Sequence, residues 1–172
     1  MKLILSFFIF FFTLNTWCQY EELNNAQWLS INNSKMIDLV KLNQKQLNQN
    51  EAIKTKTIIL ENTKDLDRLH KLSIKVIDSI KTQALNYHTM LNYPSEKRRV
   101  LQHHKKIRNY LYKFKKITIA MVSKLNKKEE ELEMNILLRL QKKQGRCLMQ
   151  IKKYTASLEK IYMYTLKGSR AY

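Results

Sequence analysis

The stretch EKRRVLQHHKKIRNYLYKFKK, Glu96 to Lys116, holds nine Lys or Arg residues among twenty-one, with apolar residues threaded between them. Such a segment has three kinds of chemistry open to it: pairing with phosphates or carboxylates, metal binding through His103 and His104, or lying on an anionic surface. The charge run extends past the quotation, since Lys97 to Lys128 contains twelve basic residues and no acid. Eight of these, Arg98, Arg99, Lys105, Lys106, Arg108, Lys113, Lys115 and Lys116, form the candidate anionic-surface site, acting together with no single dominant contact. The competing reading is a solvated outer face of a packed helix. Tyr110, Tyr112 and Phe114 lie among the charges and could stack on nucleobases.

The other reactive side chains offer less. His103 and His104 are adjacent, so on a helix they diverge by about 100° and cannot share one metal on one face. Glu129, Glu130, Glu131 and Glu133 form a solvated acidic run, whereas an acid and base pair needs a pocket that a thin bundle rarely encloses. No H-E-x-x-H, C-x-x-C, G-x-G-x-x-G or G-x-x-x-x-G-K-[ST] pattern occurs, and with glycine only at 145 and 168 no loop can cradle phosphates. The expectation is a protein that is not an enzyme and uses no cofactor, metal or small-molecule substrate.

Elements able to carry these residues follow from spacing. Val100, His104, Ile107, Leu111, Phe114, Thr118, Met121 and Leu125 recur at alternating intervals of four and three, a heptad seam. Leu137, Leu140, Gln144, Cys147, Ile151, Tyr154, Leu158, Ile161 and Thr165 form another, with Gly145 inside it as a point where the helix could loosen. A third runs through Ile59, Asn62, Leu66, Leu69, Ser73, Ile77, Ile80, Ala84, Tyr87 and Leu91. The fold class expected is all-α: an elongated antiparallel helical bundle or helical hairpin of three to four long amphipathic helices with coiled-coil character. Pro94 marks one reversal, with Ser95 as the expected cap of the next helix. Asn126 marks a second, the acidic run suiting the first turn beyond it, although one continuous helix would also accommodate those residues.

Three segments make up the expected organisation. Residues 1–18, with one basic residue at Lys2 and an apolar run from Leu3 to Leu14, form a secretory signal, the run being too short to span a bilayer core. Cleavage is expected after Cys18, with an uncleaved anchor or acylation at Cys18 as alternatives. Residues 19–58 form an Asn- and Gln-rich helical segment whose apolar stripe, Trp28, Ile31, Ile37, Val40 and Leu47, is thin enough that the helix buries less and could extend beyond the bundle. Trp28 is either a packing residue at the bundle end or an anchor for a partner. Residues 59–172 form the helical bundle itself. With the signal removed, Cys147 is the only cysteine, so the exported chain is held by its core alone, and Cys147 on a seam is expected to be buried.

Charge divides the chain unevenly. From Gln19 to Pro94 there are ten basic and eight acidic residues, and from Ser95 to Tyr172 twenty-one basic and six acidic. Export argues against most intracellular nucleic acid as the target. A membrane-surface helix is disfavoured because the apolar residues are claimed by the seam.

The leader ending near WCQYEE, the helix QWLSINNSKMIDLVKLNQKQLNQNEAIK and the helical remainder together resemble periplasmic conjugation proteins similar to the minor pilus component of type IV secretion systems. That resemblance implies an exported, mainly α-helical, non-enzymatic subunit assembled with partners, and carries over no functional residues. The expectation is therefore a basic interaction protein of the periplasm or cell envelope, acting through protein-protein contacts with envelope proteins or with itself, as part of a conjugative transfer or secretion apparatus. The alternative is a binding module for an anionic polymer or surface, whether DNA, anionic lipid or polysaccharide, with peripheral membrane contact, through residues 97–128.

Overall fold

Long runs without glycine or proline, built on three-and-four spacing, leave the backbone little choice but helix. The computed structural model bears this out. It describes residues 2–48, 52–86, 93–126 and 133–168, with side chains described for residues 21, 23–48, 56–85, 93–126 and 133–165. Four helices result: α1 (Lys2–Asn48), α2 (Ala52–Asn86), α3 (Pro94–Leu125) and α4 (Met134–Gly168). No strand occurs among the described residues.

Each helix packs against two others, α1 on α2 and α4, and α3 on α2 and α4, so the four close into a ring around a main hydrophobic cluster and a smaller one formed by Leu47, Ile59, Met121, Leu125 and Leu137. Cross-helix pairs fix the directions. On α1 and α2, Asn25 meets Gln83, Asn32 meets Leu69 and Ser73, and Asn43 meets Asn62, so the two run antiparallel. His70 with Leu111 and Asp78 with Arg108 set α2 against α3, and Thr118 with Gln144 and Tyr110 with Tyr154 set α3 against α4. Asn33 on Leu148 closes α4 back onto α1. The expected all-α bundle is present, as four helices and not a hairpin.

On α3 the buried set is Val100, His104, Ile107, Leu111, Phe114, Thr118, Met121 and Leu125, the same eight residues that spacing selects. Buried α4 residues include the expected Leu137, Gln144, Cys147, Ile151, Leu158, Ile161 and Thr165. They also include Gln141, Leu148, Thr155 and Tyr162, so the buried stripe of α4 is wider than its seam. Leu140 and Tyr154 are half-buried at its edge. Tyr87 and Leu91 of the expected α2 seam lie outside the described residues.

Helix α1 departs most from expectation. Its buried positions are Ala26, Leu29, Asn33, Met36, Val40, Asn43 and Leu47, at alternating intervals of three and four, with Asn32 buried beside them. Trp28 and Ile31 are exposed instead, at 38% and 58%. Of the expected stripe, Val40 and Leu47 are buried and Ile37 is half-buried, while asparagines take the remaining inward positions and bond neighbouring helices. Segment 19–58 is thus no appendage: its described part splits between α1 and the start of α2, and Ala26, Leu29, Met36 and Val40 belong to the main core. Helix α1 crosses the expected leader boundary at Cys18 without a break. No helix among the described residues is long and apolar enough to cross a membrane.

Both reversals differ in detail. Tyr93 is the N-cap of α3 with non-helical backbone and no side-chain cap bond, and Pro94 opens the helix, where its missing N–H costs nothing. Ser95 is therefore inside the first turn, its hydroxyl donating to the Glu96 carboxylate, and does not cap. Helix α3 ends at Leu125 with Asn126 as its C-cap, and the pairs Thr118 with Gln144 and Tyr110 with Tyr154 fold α4 back on it, so the continuous-helix alternative is excluded. Glu133 precedes α4 and no acid sits in its first turn; the rest of the acidic run, residues 129–131, lies outside the described residues. Gly145 sits within unbroken helix.

Candidate anionic-surface face

Burying the α3 seam drives its charged residues outward by the 3.6-residue period, and the same holds for α4, packed beside it. Helix α3 carries ten basic residues and one acidic, α4 eight and one; α2 carries seven and four, α1 four and three. The bundle therefore has one strongly cationic side, made by two adjacent helices, and one nearly balanced side.

The eight expected site residues do not form a single cluster. Arg108 leans to α2, its Nη1 lying 3.2 Å from the Asp78 carboxylate, and the Lys115 charge acts on His70 of α2. On the α4 side, Lys106 sits over the Tyr154 ring at 5.0 Å, within cation–π range. Lys113 lies over Tyr110 at 5.3 Å and Lys116 over Tyr112 at 4.7 Å, while Tyr110 stacks on Tyr154 across the helix pair. These rings hold lysine side chains that would otherwise sweep freely. Arg98, Arg99 and Lys105 are exposed nearer the Pro94 end. Apart from Arg108 with Asp78 and Lys124 with Glu133, no basic side chain of α3 has a carboxylate within salt-bridge reach among the described residues.

Lys113 and Lys116 join Lys143 and Arg146 of α4 around an open recess of about 370 Å³ whose floor is Ile117 and Cys147. The α4 members were not anticipated. Their signal was in the chain, because Met134 to Leu158 contains six basic residues and no acid, the same signature as α3. Cys147 is buried as expected, and desolvation pushes its thiol above the ordinary range, against a smaller downward pull from Lys113.

The adjacent histidines diverge as the helix requires. His103 faces the Tyr154 ring at 5.6 Å on α4, and His104 lies 3.5 Å from Asp78 on α2. Burial lowers both pKa values; Lys106 and Arg99 lower that of His103 further, while Asp78 partly opposes the effect at His104. His70 of α2 is also depressed by burial, its Nε2 donating to the Leu111 carbonyl at 3.0 Å and its ring stacked on Phe114. All three belong to helix contacts. Among the described residues no three His, Cys, Asp or Glu side chains converge on one point.

Trp28, the candidate partner anchor, is part-exposed on the balanced side, where α1 also exposes Ile31 and Leu42 and α2 exposes Leu72.

Fold and surface together define an all-α, four-helix bundle with a cationic face built by two neighbouring helices. Comparison with protein-family models, curated proteins and solved structures finds no match to this chain. No match bears on the resemblance to minor pilus components, and every site residue stands on its own chemistry.

Proposed function

We propose that this protein is a non-enzymatic interaction module of the cell envelope that docks its α3–α4 face onto an anionic surface. The observation that carries this reading is charge segregation: the two most basic helices are neighbours, and most of their cations lack an acidic partner among the described residues. Like charges so placed repel at short range and are relieved by a countercharged partner. Their number and their spread along about 48 Å of helix favour a broad contact over a single-ligand pocket. An exported address follows from the apolar leader and remains part of the proposal.

A second reading, a component of a transfer or secretion apparatus held by protein contacts, is favoured by Trp28, Ile31 and Leu42 exposed on the nearly neutral side. Salt separates the two. Binding of the purified chain to polyphosphate, duplex DNA and anionic vesicles is measured at about 50 and 500 mM salt, spanning Debye lengths on either side of about 10 Å. Docking through α3 and α4 requires binding to at least one polyanion that falls steeply with salt. Salt-insensitive association with envelope proteins, lost on Trp28→Ala, would favour the second reading instead.

A further inference from the structure

We infer that the α3–α4 face binds anionic lipid, with the recess between the helices receiving a lipid headgroup at its rim and the start of the acyl region at its floor. This deepens the proposed docking function and rests on it. Lys113, Lys116, Lys143 and Arg146 ring the recess, and Ile117 with Cys147 makes an apolar floor. A ligand matching that lining is negatively charged at one end and apolar at the other. A phosphodiester polymer supplies the charge but leaves the apolar floor unmatched.

The surroundings point the same way. Most apolar residues of α3 are taken up by the seam and unavailable to a membrane surface. Three large ones are not: Tyr112 and Ile119 on α3 and Met149 on α4 are 59%, 58% and 55% exposed, outside the lining of the recess. Aromatic and aliphatic side chains set among lysines are the composition of an interfacial helix, in which the apolar groups enter the headgroup layer and the lysines stay at its surface. Lys116 lies over the Tyr112 ring at 4.7 Å and covers part of the face that a stacked nucleobase would need. Two antiparallel helices side by side also offer a broad face suited to a planar surface.

The test uses the full chain with vesicles of phosphatidylcholine alone and with about one third phosphatidylglycerol, followed by co-sedimentation. Any contribution of the apolar leader is common to both vesicle types, so the difference reports the cationic face. A cation near an anionic membrane contributes about 1 kcal/mol, so changing Lys113, Lys116, Lys143 and Arg146 together to Gln should reduce the phosphatidylglycerol-dependent partitioning by about 100- to 1,000-fold. Circular dichroism of that variant should match the parent, since all four side chains are exposed. Changing Tyr112 and Ile119 to Ser should lower the salt-resistant part of binding.

Equal partitioning to both vesicle types overturns the inference. If such a protein still binds duplex DNA or polyphosphate in a salt-dependent way, the docking reading survives and only its lipid partner is wrong. If it binds no polyanion at all, both fall.

Discussion

Replacing Asn32 with Ala tests the least anticipated feature of the fold, the amide seam that joins α1 to the bundle. The Asn32 Nδ2 donates to the Leu69 carbonyl at 2.8 Å and to the Ser73 hydroxyl at 2.6 Å, and the residue is 3% exposed. Two buried bonds at about 0.5–1.5 kcal/mol each give an expected loss of about 1–3 kcal/mol. The lower part of that range is favoured because Leu69 keeps another partner, the Ser73 hydroxyl at 2.9 Å, and is not orphaned. With a urea m-value of about 2 kcal/mol/M, the unfolding midpoint should fall by about 0.5–1.5 M with m unchanged. The cycle with Ser73→Ala isolates the cross-helix pair. Ser73→Ala alone removes one of the two acceptors, and the double variant should cost less than the sum by at least about 0.5 kcal/mol. Additive losses, or an Asn32→Ala loss below about 0.3 kcal/mol, would refute the Asn32 bonds as a source of the cohesion between α1 and α2.

Four further outcomes follow from the same geometry. Leu111→Ala should cost about 2–5 kcal/mol and Phe114→Ala about 3–5, both being 1% exposed, whereas Lys113→Glu should cost well under 1 in a thermal melt. Gly145→Ala should stabilise by about 0.5–1 kcal/mol, because a Cβ there meets only Val40 Cγ1 at an ordinary 4.0 Å; urea midpoints decide it. Gln141, fully buried with neither amide atom bonded among the described residues, should be replaceable by Leu with a gain of about 1–3 kcal/mol, read from denaturant unfolding. His70, His103 and His104 have folded pKa values below the unfolded value of 6.5, so below that pH the unfolded chain binds more protons. Their contribution is fully present above about pH 6.5 and is lost as pH falls through the folded values, at most about 1.4 kcal/mol per pH unit for each group. His70→Leu should flatten the stability profile between about pH 5 and 6.5 at constant ionic strength.

What the chain determined alone is clearest in α3. Its inward positions are mostly apolar and the positions between them are dominated by Lys and Arg, so the contrast between stripe and face is large, and the spacing selects all eight buried residues without knowledge of any partner. Helical class and the divergence of His103 from His104 follow from the same local geometry, whereas the choice between a stop at Asn126 and one continuous helix was decided by the packing of α4 back on α3. Helix α1 was not legible in this way. An asparagine is buried only where another helix supplies an acceptor or donor, and the partners of Asn32 and Asn33 lie 37 to 115 residues away along the chain. Until those partners were in place, Trp28 and Ile31 appeared the better core residues. The recess is a tertiary product for the same reason: Lys113 and Lys116 meet Lys143 and Arg146 only because α3 and α4 pack antiparallel in the register that sets Thr118 against Gln144. Charge could be counted along the chain, but which charges share a face, and which apolar residues stand exposed among them, was decided by which helices became neighbours.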